Sequence, residues 1–208
     1  MARDRFNINT LTIQFDYNLL KSSLRDYGHP RVKINQLIKT HQIIRVKKGI
    51  YVKSRQPYSP LVLANMIYGP SYVSQDFALS LYDLIPERVT TVTSMTTGRN
   101  KEFNTPCGDF SYEHLSPHFY IYGLRRIEIE GGRAYLIASP EKALIYRIWT
   151  VKGLNTLKNL EDYLEGDMRL DFTNIQQIKI SNLRKLAKIY DRPALYLLEK
   201  LLRDRMPS

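Results

Sequence analysis

Residues 43–55 read IIRVKKGIYVKSR, with five basic residues and no acid. Ile44, Val46, Ile50 and Val52 share one side of a period-two pattern. Arg45, Lys47, Tyr51, Lys53 and Arg55 share the other. Lys47-Lys48-Gly49 interrupts the alternation, and Gly49 can take the positive φ that a tight hairpin turn needs. The stretch is therefore predicted to be a β-hairpin with a dry face and a basic face. Lysine on an exposed strand often does no more than block edge pairing, so the meaning of this charge depends on what precedes it.

Asp16 is placed to cap a helix running to about Tyr27, with Tyr17, Leu20, Leu24 and Tyr27 along one stripe. Gly28-His29-Pro30 ends it and opens a second helix over about 31–40, in which Ile34, Leu37 and Ile38 turn inward. The opposite face shows Val32, Asn35, Gln36 and Lys39, flanked by Lys33 and Thr40. Asn and Gln can bond adenine edges bidentately, Lys can reach guanine, and a Val methyl can pack on a thymine methyl. Helix, turn, helix and basic hairpin, in that order, is the logic of a winged helix-turn-helix. On this reading the dry face of the hairpin packs on the helices and the basic face meets phosphate. The expected DNA contacts are Arg31, Val32, Lys33, Asn35, Gln36 and Lys39 from the helix, with Arg45, Lys47, Lys48 and Lys53 from the hairpin.

Charge placement agrees. The formal net charge of +11 is uneven: residues 1–55 hold 12 Lys/Arg against 3 Asp/Glu, residues 56–150 hold 8 against 9, and residues 151–208 hold 11 against 8. That distribution predicts a polyanion-binding module joined to a nearly neutral body. The module lacks the aromatic-rich sheet or glycine loop of common RNA-binding modules, which favours double-stranded DNA. A chain that is 43% hydrophobic with 15 tyrosines can bury a real core. One cysteine, Cys107, excludes an internal disulfide framework and fits a reducing cytoplasm. MARDRFNINT has no apolar core behind its charges, and LVLANMIY at 61–68 is too short to span a bilayer. A cytoplasmic location without membrane association is expected.

Beyond a PYSP linker, Pro60 opens a helix ending at Tyr68, and Ser74 is placed to cap the next, QDFALSLYDL. RVTTVTSMTT (88–97) and SYEHL read as strands, with NTPCGDF as a turn between them. RIEIEGGRAYLI (126–137) reads as a hairpin about Gly131-Gly132. In ASPEKALIYRIW, Ser139 caps a helix, Pro140 takes its first position and Glu141 sits in the positive end of its dipole. The remainder carries amphipathic helical stripes. The expected fold is α+β: a winged helix over residues 1–55, a mixed α/β body over 56–150 and a helical C-terminal extension over 151–208.

YVSQDFALSLYDLIPERV, TSMTTGRNKEFNTPCGDFSYEHL and IASPEKAL together resemble the AbiEi family of antitoxins, and RVKKGIYV resembles the wing of that family's DNA-binding domain. The resemblance covers about residues 15–150. Thr40-His41-Gln42 stands where many members have a glycine, and the tail matches only in being helical. The resemblance implies an antitoxin of a bacterial type IV toxin–antitoxin system, linked to phage defence. It would repress its own operon at inverted repeats in promoter DNA and counter a nucleotidyltransferase-like toxin. Antitoxins of this type are thought to act without a stable toxin complex, so no direct interface is implied.

Other chemistry is less well supported by the residues. His114 and His118 are four apart, but Pro117 argues against one helix presenting both to a metal. Cys107 lies in a turn without the Lys/His setting of a reactive thiol. Glu128, Glu130, Glu141 and Lys142 would suit a metal-dependent nuclease. Yet Glu128 and Glu130 alternate with Ile127 and Ile129 as on a half-exposed strand, and Ser139-Pro140-Glu141 reads as a helix start. No catalytic set, metal site or cofactor is expected. Arg99 and Lys101 are placed to engage an acidic or nucleic-acid partner. The principal alternative is a winged-helix regulator with a ligand- or partner-binding body and no toxin.

Overall fold

The computed structural model describes residues 6–205. The first five residues of MARDRFNINT, and that part of the leader reading, lie outside the described residues. The architecture is α+β.

The chain begins with β1 (Gln14–Asp16), α1 (Tyr17–Ser23), α2 (Pro30–Lys39), β2 (Ile43–Lys47) and β3 (Ile50–Lys53). The Asp16 carboxylate accepts from the Leu19 N–H at 2.8 Å and so starts α1. That helix stops at Ser23, a turn short of the predicted Tyr27. Pro30 sits in the first turn of α2. Just past the end of α2, His41 adopts φ 53°, the left-handed conformation that glycine takes without Cβ strain. The three strands form an antiparallel sheet in the order β1-β3-β2. β1, three residues long, is too short to show an alternation in sequence.

The hairpin forms as expected, but its faces do not divide as expected. Arg45 pairs with Tyr51 and Lys47 with Ile50, so Val46 is an extra residue and the strand bulges there. Ile43 and Tyr51 are buried with Phe15, Leu20, Leu24, Ile34 and Leu37, in a small core under α1 and α2. Val46, Ile50 and Val52 join the core of the body instead, with Ile44 packed against it. The face predicted to rest on the N-terminal helices therefore rests on the body, and the face predicted to be basic supplies the floor of the N-terminal core. A sheet with helices on one side leaves its other side to be covered, and here the body covers it.

The body comprises α3 (Pro60–Ile67), β4 (Ser71–Val73), α4 (Gln75–Leu81), β5 (Val92–Thr96), β6 (Lys101–Thr105), β7 (Gly108–His114), α5 (Pro117–Tyr120), β8 (Leu124–Ile129), β9 (Arg133–Ala138) and α6 (Pro140–Thr150). The strands form one mixed sheet in the order β6-β7-β5-β4-β9-β8. NTPCGDF, expected as a turn alone, holds the end of one strand and the start of the next; the Thr105 hydroxyl donates to the Gly108 carbonyl at 2.8 Å across the bend. On β4 the side chains alternate between layers. The Ser71 hydroxyl faces the Ala64 carbonyl of α3, while Tyr72 turns the other way onto Tyr120. Ser74 precedes α4 but makes no capping bond.

The tail contains α7 (Leu157–Asp162), which runs into a π turn, then α8 (Ile180–Tyr190) and α9 (Pro193–Arg205). Its predicted stripe residues Leu183, Leu186, Tyr190, Leu195, Leu198, Leu201 and Leu202 are all buried in the same core as the sheet. No helix among the described residues is long and apolar enough to cross a membrane.

Candidate nucleic-acid interface

Burial of Ile34 and Leu37 fixes the roll of α2 and leaves Arg31, Val32, Asn35, Gln36 and Lys39 exposed. Val32 is 67% exposed, an apolar side chain displayed amid polar ones rather than packed. Lys33 is half-buried, its amine 5.4 Å from the centre of the Tyr27 ring.

Between α2 and the hairpin lies a groove of about 660 Å³. Tyr17, Ile34, Gly49 and Tyr51 line its apolar part, and Phe15 stacks on Tyr51 at 6.0 Å between ring centres. Arg31 and Asn35 enter from the helix, Arg45 and Lys48 from the hairpin. No acidic side chain is among the described residues that line it. The turn is held close to α1 because Gly49, at φ 89°, offers its carbonyl to the Tyr17 N–H at 2.8 Å. A groove with three fixed cations, an amide and no carboxylate favours an anion, and a phosphodiester has both the charge and the acceptors such a rim would meet.

Four of the ten predicted DNA contacts thus share one groove. Val32, Gln36 and Lys39 extend the same helix outside it. Lys47 does something else: its amine donates to the Ile67 carbonyl at the end of α3, 2.5 Å away, and lies 4.8 Å from the centre of the Phe103 ring. Burial, and then the charge of Lys101, hold that amine below the ordinary lysine range. Lys47 is thereby a joint between hairpin and body. The alternation set it on the side opposite Ile44, but the bulge at Val46 shifts the register, so Lys47 pairs with Ile50 and faces the body, where β6 comes up beside it. Lys53 points to the far end of the hairpin, near the Asn9 carbonyl. Tyr17 and Tyr51 were not foreseen as groove residues, although Tyr51 stands alone as an aromatic among the charges of its face.

Arg99 is exposed in a turn, and its N–H donates to the Tyr68 hydroxyl at 3.2 Å. Lys101 lies on β6, not in a turn, with its amine 4.9 Å from the centre of the Tyr68 ring. This pair borders the joint made by Lys47.

The SPEK segment holds the tail to the sheet. Ser139 accepts from the Lys142 N–H, starting α6. Glu141 is fully buried and accepts from the Lys179 N–H at 2.8 Å, so it serves the start of α8 as well as its own helix. Lys142, also fully buried, donates to the carbonyls of Phe119, Tyr120 and Tyr122 at 2.9, 2.7 and 2.5 Å, and lies 4.5 Å from the centre of the Tyr72 ring. Burial pulls its amine down to about 7. Glu128 is exposed and pairs with Arg126. His114 ends β7 with Nδ1 2.8 Å from the Gly98 carbonyl, and His118 lies on α5. Burial pushes the Cys107 thiol up. Among the described residues, no three His, Cys, Asp or Glu side chains gather where they could hold a metal ion.

Compared with known proteins, the chain matches no family model and no curated sequence.

Proposed function

We propose that the N-terminal module is a winged helix that binds double-stranded DNA, with α2 in the major groove and the hairpin tip on the neighbouring backbone. The groove that gathers Arg31, Asn35, Arg45 and Lys48, with no acid among the described residues that line it, carries this reading. The charge excess of residues 1–55 supports it by drawing the module toward a polyanion. The exposed Val32, Asn35, Gln36 and Lys39 supply the side-chain types that read base edges.

The role of the body rests on the sequence blocks that resemble AbiEi antitoxins. On that basis the chain represses its own promoter and counters the toxin of its operon. The experiment has two arms: a mobility shift on duplex DNA from upstream of its reading frame, and growth rescue on co-expression with the adjacent reading frame. A shift with rescue supports both parts. Rescue without a shift removes the DNA-binding part, and a shift without rescue leaves a plain regulator. One observation favours that second reading: a cavity of about 550 Å³ between the start of β8 and α8, lined in part by Tyr122, Leu124, Leu186 and Ile189, has the size of a small-molecule site.

A further inference from the structure

A second, smaller cavity of about 270 Å³ lies at the other end of α2, where His41, Lys53, Ser54 and Arg55 meet the Asn9 backbone region. It is more polar than the first groove. The Lys53 amine reaches the Asn9 carbonyl only at 3.5 Å, a long contact that leaves it able to serve further acceptors. Arg55 and His41 are exposed beside it. The Ser54 hydroxyl is buried without a hydrogen-bond partner among the described residues. Among the described residues, no carboxylate lines the cavity. Two cations, Lys53 and Arg55, beside His41 and with room for a tetrahedral anion and its waters, are the makings of a phosphate seat.

Its position gives the seat a partner. From Arg31 to Thr40 along α2 the rise is about 14 Å, and from Gly49 to Ser54 along β3 it is about 17 Å. The two basic cavities therefore stand at opposite ends of the exposed helix face, separated by slightly more than the width of a B-DNA major groove, about 12 Å. We infer that His41, Lys53, Ser54 and Arg55 seat a backbone phosphate on the far edge of the major groove whose near edge meets Arg45 and Lys48. The inference rests on the DNA-binding reading above and adds a second clamp to it.

The test compares the salt dependence of binding to a short duplex of arbitrary sequence for three proteins: the full chain, Lys53→Gln with Arg55→Gln, and Arg45→Gln with Lys48→Gln. Loss of one phosphate contact flattens the plot of log K against log[salt] by about 0.9. Flattening by both double variants, with ethylation interference on duplex DNA from upstream of the reading frame lost on one strand in the first and on the other strand in the second, supports the second seat. Flattening by the Arg45/Lys48 variant alone overturns the seat and leaves the DNA-binding reading standing. No flattening by either overturns both. Because Lys53 is half-buried, Arg55→Gln alone is measured as well; its side chain is exposed, and an unchanged slope in a folded Arg55→Gln protein also counts against the seat.

Discussion

Arg133, at the start of β9, donates from Nη1 to the side-chain oxygen of Gln14 on β1, 2.6 Å away across 119 residues of chain. The Gln14 amide nitrogen in turn donates to the Ser59 carbonyl at 2.7 Å. Gln14 is only 4% exposed, so both ends of its amide are satisfied by the body while its backbone belongs to the N-terminal sheet. With Lys47 on Ile67 at the other side, the module is pinned at two polar points around a shared apolar contact.

Gln14→Ala leaves half-buried partners at Arg133 and Ser59 without their bonds. A loss of about 1–3 kcal/mol in folding stability is expected, seen as a lower urea midpoint. A midpoint equal to that of the parent would mean the amide is replaced by water at no cost.

A fragment starting at Gln56, the boundary suggested by charge, loses Val46, Ile50 and Val52 from the body core. Each buried aliphatic side chain contributes roughly 1.5–3 kcal/mol, and a domain's whole stability is roughly 5–15 kcal/mol. The fragment is expected to be insoluble or to unfold at much lower urea than the full chain. A soluble fragment with the full chain's midpoint would show that the hairpin is dispensable to the body.

Lys142 gives a pH signature. The unfolded chain keeps this proton to about 10.5, whereas the folded chain sheds it above about 7. Between those values the unfolded state binds more protons, so this lysine's contribution to stability rises with pH. The stability of the parent relative to Lys142→Met is expected to grow between pH 7 and pH 9 in paired urea titrations. A difference that stays flat would mean the three carbonyls hold the amine charged throughout.

Under the DNA-binding proposal, Asn35→Ala and Gln36→Ala on α2 are each expected to cost about 1–3 kcal/mol on the promoter duplex and little on unrelated DNA. Equal losses on both duplexes, measured by fluorescence anisotropy, would put another face of α2 in the groove.

Much of this was legible in the sequence for local reasons. The Asp16, Ser59 and Ser139 caps, Pro30 at the start of α2 and the Gly131-Gly132 turn depend on a few adjacent residues, and each forms where the pattern put it, except that Ser59 was read only as part of a linker before Pro60. The inward set Ile34, Leu37 and Ile38 was equally local. What the sequence did not reveal was set by distant segments. The alternation in 43–55 distinguished two faces, but which face met α2 and which met α3 depends on a body that begins after the hairpin ends. Tyr51 was placed on the charged side correctly, and only the packing of Phe15 shows it buried there. Glu141 read as a helix-dipole residue of α6, and its bond to Lys179 spans 38 positions.

The most direct test separates the two adjacent lysines at the hairpin tip. Lys48 lines the groove, whereas Lys47 is bonded to Ile67. In duplex binding measured over a range of salt, Lys48→Ala is expected to flatten the slope by about 0.9 and leave the urea midpoint unchanged. Lys47→Ala is expected to keep the slope and lower the midpoint. The opposite assignment, a flattened slope for Lys47→Ala with stability intact and no change for Lys48→Ala, would contradict the groove as the DNA-binding surface.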